Sequence, residues 1–163
     1  MTSSAFALAA LLSLPWVSHP SQAHRAHHRI GPWTLTVVQD RFSGQVQCRL
    51  AARGMDFERG ALTLHLSPKA DTSDAVYRID GGLPHSVRAD TLELVRMGFA
   101  VHRDDLTNPS GGLVRIPVAA LAGATQVAVV ARPGAPIYSF QVGALAPALD
   151  AARTAGCTPE SFR

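Results

Sequence analysis

Short segments in which apolar and polar residues alternate recur along this chain, and they limit its fold more than any other feature. In "WTLTVV" at 33–38 threonine alternates with apolar side chains, and in "ALTLHLS" at 61–67 every second residue is leucine. "QVQCRLA" places Val46, Cys48 and Leu50 at the same period. A period of two puts such side chains on one face of a strand. These segments therefore predict β-strands that pack on a core through one face.

Further β-type segments follow at short spacing and are separated by turn-forming residues. They are "AVYRID", "GLVRIPV", "TQVAVVA" and "PIYSFQV", and the first of them ends in Gly81-Gly82. About seven strands at this spacing predict a sandwich or barrel rather than a parallel sheet, in which longer helices alternate with strands. We therefore expect one mainly β domain over residues 33–163.

The segment "ADTLELVRMG" predicts the first of two or three short helices. Asp90 is placed as an N-cap, Glu93 as its capping-box partner three residues later, and Gly98 as a stop. A strand reading of the same segment remains open, because Leu92 and Leu94 also alternate with polar residues.

Two more helical segments follow. "PVAALAG" at 117–123 predicts one helical turn between strands. "ALAPALDAARTAG" predicts a C-terminal helix with Leu145, Leu149 and Ala152 on one face and Gly156 at its end. Cys157 follows this helix directly, so a bridge from it would close the domain.

The first 23 residues have the pattern of a secretory signal peptide. Ala5 to Val17 form an apolar run of 13 residues, which is shorter than the roughly 20 that a membrane-spanning helix needs. Ser21-Gln22-Ala23 supplies small residues before a cut, and all 27 charged side chains lie after Ala23. We expect cleavage after Ala23, a periplasmic or secreted protein, and no transmembrane helix in the mature chain. The alternative is a buried N-terminal helix.

The chain has two cysteines, Cys48 and Cys157, which are 109 positions apart. In an exported protein an even count predicts a disulfide, and two cysteines allow one intramolecular pairing. Two buried thiols, or a reactive or intermolecular cysteine, are the alternatives. The chain contains no Cys-x-x-Cys motif and too few cysteines for a thiolate zinc cage.

After the cut the chain would begin with "HRAHHRIGP", which we interpret as a flexible His/Arg-rich tail over residues 24–32. Neutral imidazole is a common metal ligand, and His24, His27 and His28 are therefore candidates for a metal or anion site in this tail. The stretch contains no Cys, Asp or Glu to complete a ligand set. We expect a solvated tail, with no metal and no cofactor.

The net charge of +3 is carried by basic residues that are scattered singly. No stretch interleaves them with aromatic residues as a nucleic-acid surface does, so no nucleic-acid partner is expected. A modest positive field favours contacts with anionic lipid or polysaccharide, although an ordinary solvated surface is the simpler interpretation. The expected partner is an unknown protein or envelope component, and the expected state is a monomer.

A search for catalytic patterns finds no Gly-x-Ser-x-Gly, His-Glu-x-x-His or phosphate-binding Gly-rich loop. The remaining candidate is "HRDDLTNPSGG", in which His102, Asp104 and Asp105 precede a Gly-rich turn. Carboxylates beside an imidazole can do acid–base work or hold a cation. The same residue types also build hairpin loops, and no catalytic residue is assigned.

The order of these segments resembles that of the invasion-associated locus B family of exported proteobacterial proteins. The resemblance covers 33–130 and includes the opening strand, the cysteine strand, the "YRIDGG" turn, "LELVRMGFAV" and "GLVRIPVAALAGATQVAV". It implies an immunoglobulin-like antiparallel β-sandwich that is periplasmic or surface-associated and has no established catalytic residues. The family's usual central cysteines are missing around "LPHSVRAD", and the helix ending in "AARTAGC" has no clear counterpart.

Three functional hypotheses follow from these patterns. The first is an exported periplasmic or envelope-associated module that works by binding and is not an enzyme. The second is an enzyme of unrecognised type that uses the loop with His102, Asp104 and Asp105. The third is metal or anion binding by the N-terminal histidines.

Overall fold

The computed structural model describes residues 24–99 and 112–162, whose strands form two antiparallel sheets. The larger sheet has the order β1-β2-β3-β4-β5-β8, with bounds His24–Ile30, Trp33–Gln39, Val46–Ala52, Met55–Glu58, Ala61–His65 and Leu113–Pro117. The smaller sheet has the order β10-β9-β6-β7, with bounds Ile137–Gln141, Gln126–Val130, Val76–Ile79 and His85–Ser86. The predicted mainly β fold is confirmed.

Two α-helices accompany the sheets in the described residues. Helix α1 spans Thr91–Arg96 and helix α2 spans Leu145–Thr154, as the sequence predicts, and the strand alternative for α1 is wrong. Single 3-10 turns lie at Val87–Asp90, Val118–Leu121 and Pro159–Ser161. Within the part of the chain that the structure describes, no helix is long and apolar enough to cross a membrane.

The core is built from the alternating apolar side chains of both sheets. Trp33 and Leu35 of β2 are fully buried, as are Val127 and Val129 of β9. The indole Nε1 of Trp33 donates a hydrogen bond to the carbonyl oxygen of Gly143 at 3.1 Å, so its one polar group is satisfied inside the fold. The predicted inward faces of β2, β3 and β5 are confirmed.

The predicted flexible tail at 24–32 is wrong, because His24–Ile30 is strand β1. Its pairing with β2 is continuous, from His24 opposite Gln39 to Ile30 opposite Trp33. A two-residue turn joins the strands, and its first residue, Gly31, has the positive φ of 57° that such turns require. An edge strand gains a backbone ladder while its charged side chains stay in water, so it needs no strong apolar alternation.

The predicted disulfide between Cys48 and Cys157 is present, with 6.0 Å between the two Cα atoms. Helix α2 ends before Gly156, whose φ of 84° turns the chain towards Cys157. Beyond it, Phe162 forms a parallel bridge with Cys48 and packs edge-on against the ring of Phe57 at 4.8 Å. The C-terminal segment is therefore attached to β3 where the pairing of β3 with β4 stops.

The predicted capping box of α1 does not form. Asp90 is the N-cap residue, but its carboxylate makes no capping hydrogen bond and instead accepts one from the hydroxyl of Tyr77 at 2.9 Å. A buried tyrosine hydroxyl needs an acceptor, and this need outweighs the local cap. Gly98, with a φ of 85°, follows the end of the helix as predicted.

Helix α1 covers part of the outer face of the larger sheet. Leu94 and Phe99 pack on Ala61 of β5 and form a small second cluster of buried residues. Strand β5 is therefore buried on both faces at Ala61 and Thr63, of which Thr63 is only 5% exposed, while His65 at its end is exposed.

Candidate functional site

The outer side of β1, β2 and β3 forms a continuous surface rich in arginine, which we call the basic face. Residues that oppose each other in an antiparallel ladder lie on the same side of the sheet, so the register aligns three rows across the strands. The rows are Arg25–Val38–Gln47, His27–Thr36–Arg49 and Arg29–Thr34–Ala51.

The alternation of the three strands places these side chains outward. In β2, Trp33, Leu35 and Val37 take the core side, which leaves the threonines to the basic face. His27 Nδ1 and Thr36 Oγ1 lie 3.1 Å apart in a hydrogen bond that crosses the ladder. Together with Arg25, Gln47 and Arg49 they line a shallow depression of about 370 Å³.

The basic face is cationic because it carries Arg25, Arg29 and Arg49 beside His27, and strands β1–β3 contain no aspartate or glutamate. Arg25 and Arg29 are exposed, and neither forms an ion pair with any residue that the structure describes. Arg49 lies 3.4 Å from Asp56, with its side chain 68% exposed. Guanidinium groups in this state can bind phosphate, sulfate or carboxylate through paired hydrogen bonds.

Asp56 marks the boundary of the basic face on β4. One carboxylate oxygen is 2.8 Å from Nε2 of His65, and the other faces Arg49. His65 points outward from the end of β5. The carboxylate of Asp56 is thus shared between Arg49 and His65, which limits how far it neutralises the charge of Arg49.

The three N-terminal histidines are not brought together. His24 and His28 point to one side of β1 and His27 to the other, because successive strand residues alternate. His24 and His28 are four residues apart, which is about 13 Å along a strand. Among residues 24–99 and 112–162 no group of three or more His, Cys, Asp or Glu could hold a metal ion. The strand geometry thus argues against a shared metal site on these histidines.

No protein-family model matches the chain, and no curated protein or solved structure matches it. The function must therefore be inferred from the chemistry of the surface itself. The resemblance to the invasion-associated locus B family rests on segment order alone and stays a prediction.

The other site predicted from the sequence lies outside the described residues. His102, Asp104 and Asp105 fall within 100–111, so their arrangement stays a prediction. The flanking segments are described up to Phe99 and again from Gly112.

A cluster that the sequence did not reveal joins Tyr77, His85 and Asp90. The imidazole of His85 stacks on the Tyr77 ring, with 5.5 Å between centroids. Burial is the main cause that raises the pKa of the Tyr77 hydroxyl and that of the Asp90 carboxyl. Tyr77 therefore stays protonated and donates to Asp90, which holds the start of α1 against the smaller sheet. We assign this cluster a structural role.

Asp80 has a different structural role in the turn after β6. Its carboxylate accepts hydrogen bonds from the backbone N–H of Gln126 at 2.8 Å and from the hydroxyl of Thr125 at 2.6 Å. These bonds, led by that of the hydroxyl, lower the pKa of Asp80. Its positive backbone φ of 47° is one that aspartate tolerates in turns.

Proposed function

We propose that this protein is exported and works in the periplasm or envelope as a binding module without catalysis. The observation that carries the proposal is the basic face, a continuous cationic surface with exposed arginines on a domain closed by a disulfide. Ordinary solvated surfaces intersperse charges of both signs. Three adjacent strands without a carboxylate instead favour an anionic partner.

Two features support export. The apolar run at 5–17 and the small residues before Ala23 have the pattern of a cleaved signal peptide. A bridge between Cys48 and Cys157 is typical of oxidising compartments. Cleavage after Ala23 would keep the whole β1–β2 ladder, because the ladder begins at His24.

The test is N-terminal sequencing and intact mass measurement of the protein recovered from envelope and extracellular fractions of its own cells, with and without alkylation. We expect a chain that begins at His24 and takes up no alkylating reagent until it is reduced. A chain that begins at Met1 and has two alkylatable thiols would refute the proposal.

The binding part has its own test. The protein and its Arg25→Gln/Arg29→Gln/Arg49→Gln variant are used to capture anionic components from envelope extracts. We expect retention by the protein and its loss in the variant. Equal recovery by both would show that the basic face does not bind.

We also propose that the two sheets pack as an immunoglobulin-like sandwich related to the invasion-associated locus B family. Its support is the shared order of opening strand, cysteine strand, "YRIDGG" turn and short helix. An experimental structure of this chain, superposed on one of a family member, should give the same strand order, with the sheets about 30° apart. A different order of the first five strands would refute the kinship.

A further inference from the structure

The turn between β2 and β3 presents an aromatic side chain at the end of the basic face. Phe42 is 98% exposed, which leaves its ring in water. The turn is well fixed, because Asp40 Oδ1 accepts the backbone N–H groups of Phe42 and Ser43, each at 2.8 Å. The backbone that carries Phe42 is thus fixed, and the exposed ring does not pack back onto the sheet.

Phe42 and the basic face are contiguous. Gln39 at the end of β2 pairs with His24, so the turn begins beside the Arg25 end of β1. Arg41 precedes Phe42 and is exposed as well. The only carboxylate in this turn, that of Asp40, is engaged by backbone N–H groups. The end of the sheet therefore combines one apolar anchor with cations.

The cations of the basic face are spread over a broad surface. Arg25 and Arg29 are four residues apart on β1, which is about 13 Å, and Arg49 lies two strands away from β1, at about 10 Å. A single small anion needs donors that converge on one point. Dispersed cations on a sheet surface match a partner that is itself extended and carries many negative groups.

We propose that the basic face and the Arg41–Phe42 tip bind an anionic phospholipid membrane. The arginines contact lipid phosphates and Phe42 enters the interface, where aromatic rings are favoured. The inference deepens the proposed function by naming the envelope component that is bound. A soluble polyanion would also meet the arginines, but it gives no reason to hold an apolar ring in water beside them.

The experiment is co-sedimentation of the purified protein with vesicles of phosphatidylglycerol and phosphatidylcholine in equal parts, compared with phosphatidylcholine alone. We expect binding to the anionic vesicles only, and weaker binding as salt is raised. Each arginine near such a surface contributes about fivefold in partition. The Arg25→Gln/Arg29→Gln/Arg49→Gln variant should therefore bind on the order of 100-fold more weakly.

The matched control removes three charges elsewhere, at Arg78, Arg132 and Arg153, each replaced by Gln. It should bind the anionic vesicles almost as the unchanged protein does. Phe42→Ser should weaken binding about tenfold, since the buried ring area is lost. Far-UV circular dichroism checks each fold. If the triple variant does not fold, the single replacements of Arg25 and Arg29 on the edge strand should each give the fivefold loss.

Three results would overturn the membrane proposal. The first is that both triple variants lose binding to anionic vesicles equally. The second is that the protein sediments equally with neutral and with anionic vesicles. The third is that the protein binds no vesicles but binds dextran sulfate through the basic face. The last result would identify a soluble polyanion as the partner. Because the conclusion uses only differences between matched variants, it is independent of the processing and thiol measurements that test export.

Discussion

The outer face of the six-stranded sheet has two halves that differ in what lies on them. Over β5, Leu94 of helix α1 and Phe99 just after the helix pack on Ala61, so the first part of the strand is buried on both sides. Over β1–β3 the described residues form no such cover, and most of the outward side chains are polar or cationic, with three arginines, His27, two threonines and Gln47. The comparison shows that one sheet can carry a second small core at one side and an exposed cationic surface at the other.

Arginines behave differently in the two halves. Near α1, the guanidinium carbons of Arg59 and Arg115 lie 5.9 and 5.1 Å from the centre of the Phe99 ring, where cation and ring attract each other. On the basic face, Arg25 and Arg29 have no comparable ring or ion-pair partner among the described residues. The first pair packs the protein, and the second is available to a ligand.

The largest expected effect on stability comes from the disulfide between Cys48 and Cys157. It lies beneath the basic face, because the side chain of Cys48 points to the core. Replacing Cys48 and Cys157 with Ala should lower the free energy of unfolding by about 2–5 kcal/mol, since the unfolded chain gains freedom. Denaturant titration measures this, and reduction of the unchanged protein should reproduce it. An unfolding free energy that stays the same in both experiments would show that the bridge does not stabilise the fold.

The covered half is tested by Leu94→Ala. Its side chain is 2% exposed, and its removal should cost about 2–3 kcal/mol of unfolding free energy through lost burial and a residual cavity. Leu92→Ala on the same helix is the control, because Leu92 is 61% exposed and should change stability by less than about 0.5 kcal/mol. Equal effects of both replacements would contradict the assigned orientation of α1.

The carboxyls of Asp90, which is half-buried, and Asp80, which is exposed, should give opposite pH dependences. Burial raises the pKa of Asp90, so its stabilising contribution is complete below its ordinary value of 3.8 and is lost as pH rises through the folded-state pKa. The lowered pKa of Asp80 gives a contribution that is present above 3.8 and is lost as pH falls.

Chemical unfolding of Asp90→Asn and Asp80→Asn between acid and neutral pH tests these signs. Relative to the unchanged protein, Asp90→Asn should gain stability as pH rises and Asp80→Asn should gain it as pH falls. The predicted result is the opposite sign of the two changes with pH. The same sign for both variants would show that one of the two hydrogen-bond environments is wrong.

The smallest expected effect on stability comes from replacing an arginine of the basic face. Arg29→Gln should change the unfolding free energy by less than about 0.5 kcal/mol, because the side chain is exposed and has no ion-pair partner among the described residues. Thermal unfolding followed by circular dichroism measures this. A loss as large as that of Leu94→Ala would mean that Arg29 holds the fold together instead of serving a ligand.

Alternation of apolar residues was enough to predict β2, β3 and β5 and the core side of each, because burial on one face produces that pattern directly. The cysteine pairing and the C-terminal helix were also predictable. The burial on the outer side of β5 could not be predicted from the sequence. The segment "ALTLH" shows the same alternation whether or not a helix covers that side.

The basic face could not be predicted from the sequence, because the apolar signal of strand β1 is too weak to distinguish the strand from a tail. An exposed edge strand has little apolar signal, and "HRAHHRI" contributes only Ala26 and Ile30, both half-buried, to the core side. The available signal was the Gly31-Pro32 pair between Ile30 and Trp33, which forms a two-residue hairpin turn. The contact of Tyr77 with Asp90 depends on tertiary packing, so no local pattern could reveal it.

The central claim is that the basic face is the surface that meets an anionic membrane, and arginine footprinting tests it most directly. The protein is labelled with phenylglyoxal, with and without phosphatidylglycerol vesicles, and each site is read by mass spectrometry. Arg25, Arg29 and Arg49 should be protected by the vesicles, while Arg78 and Arg153 keep their labelling rates. Equal protection of both groups, or protection of neither, would contradict the claim.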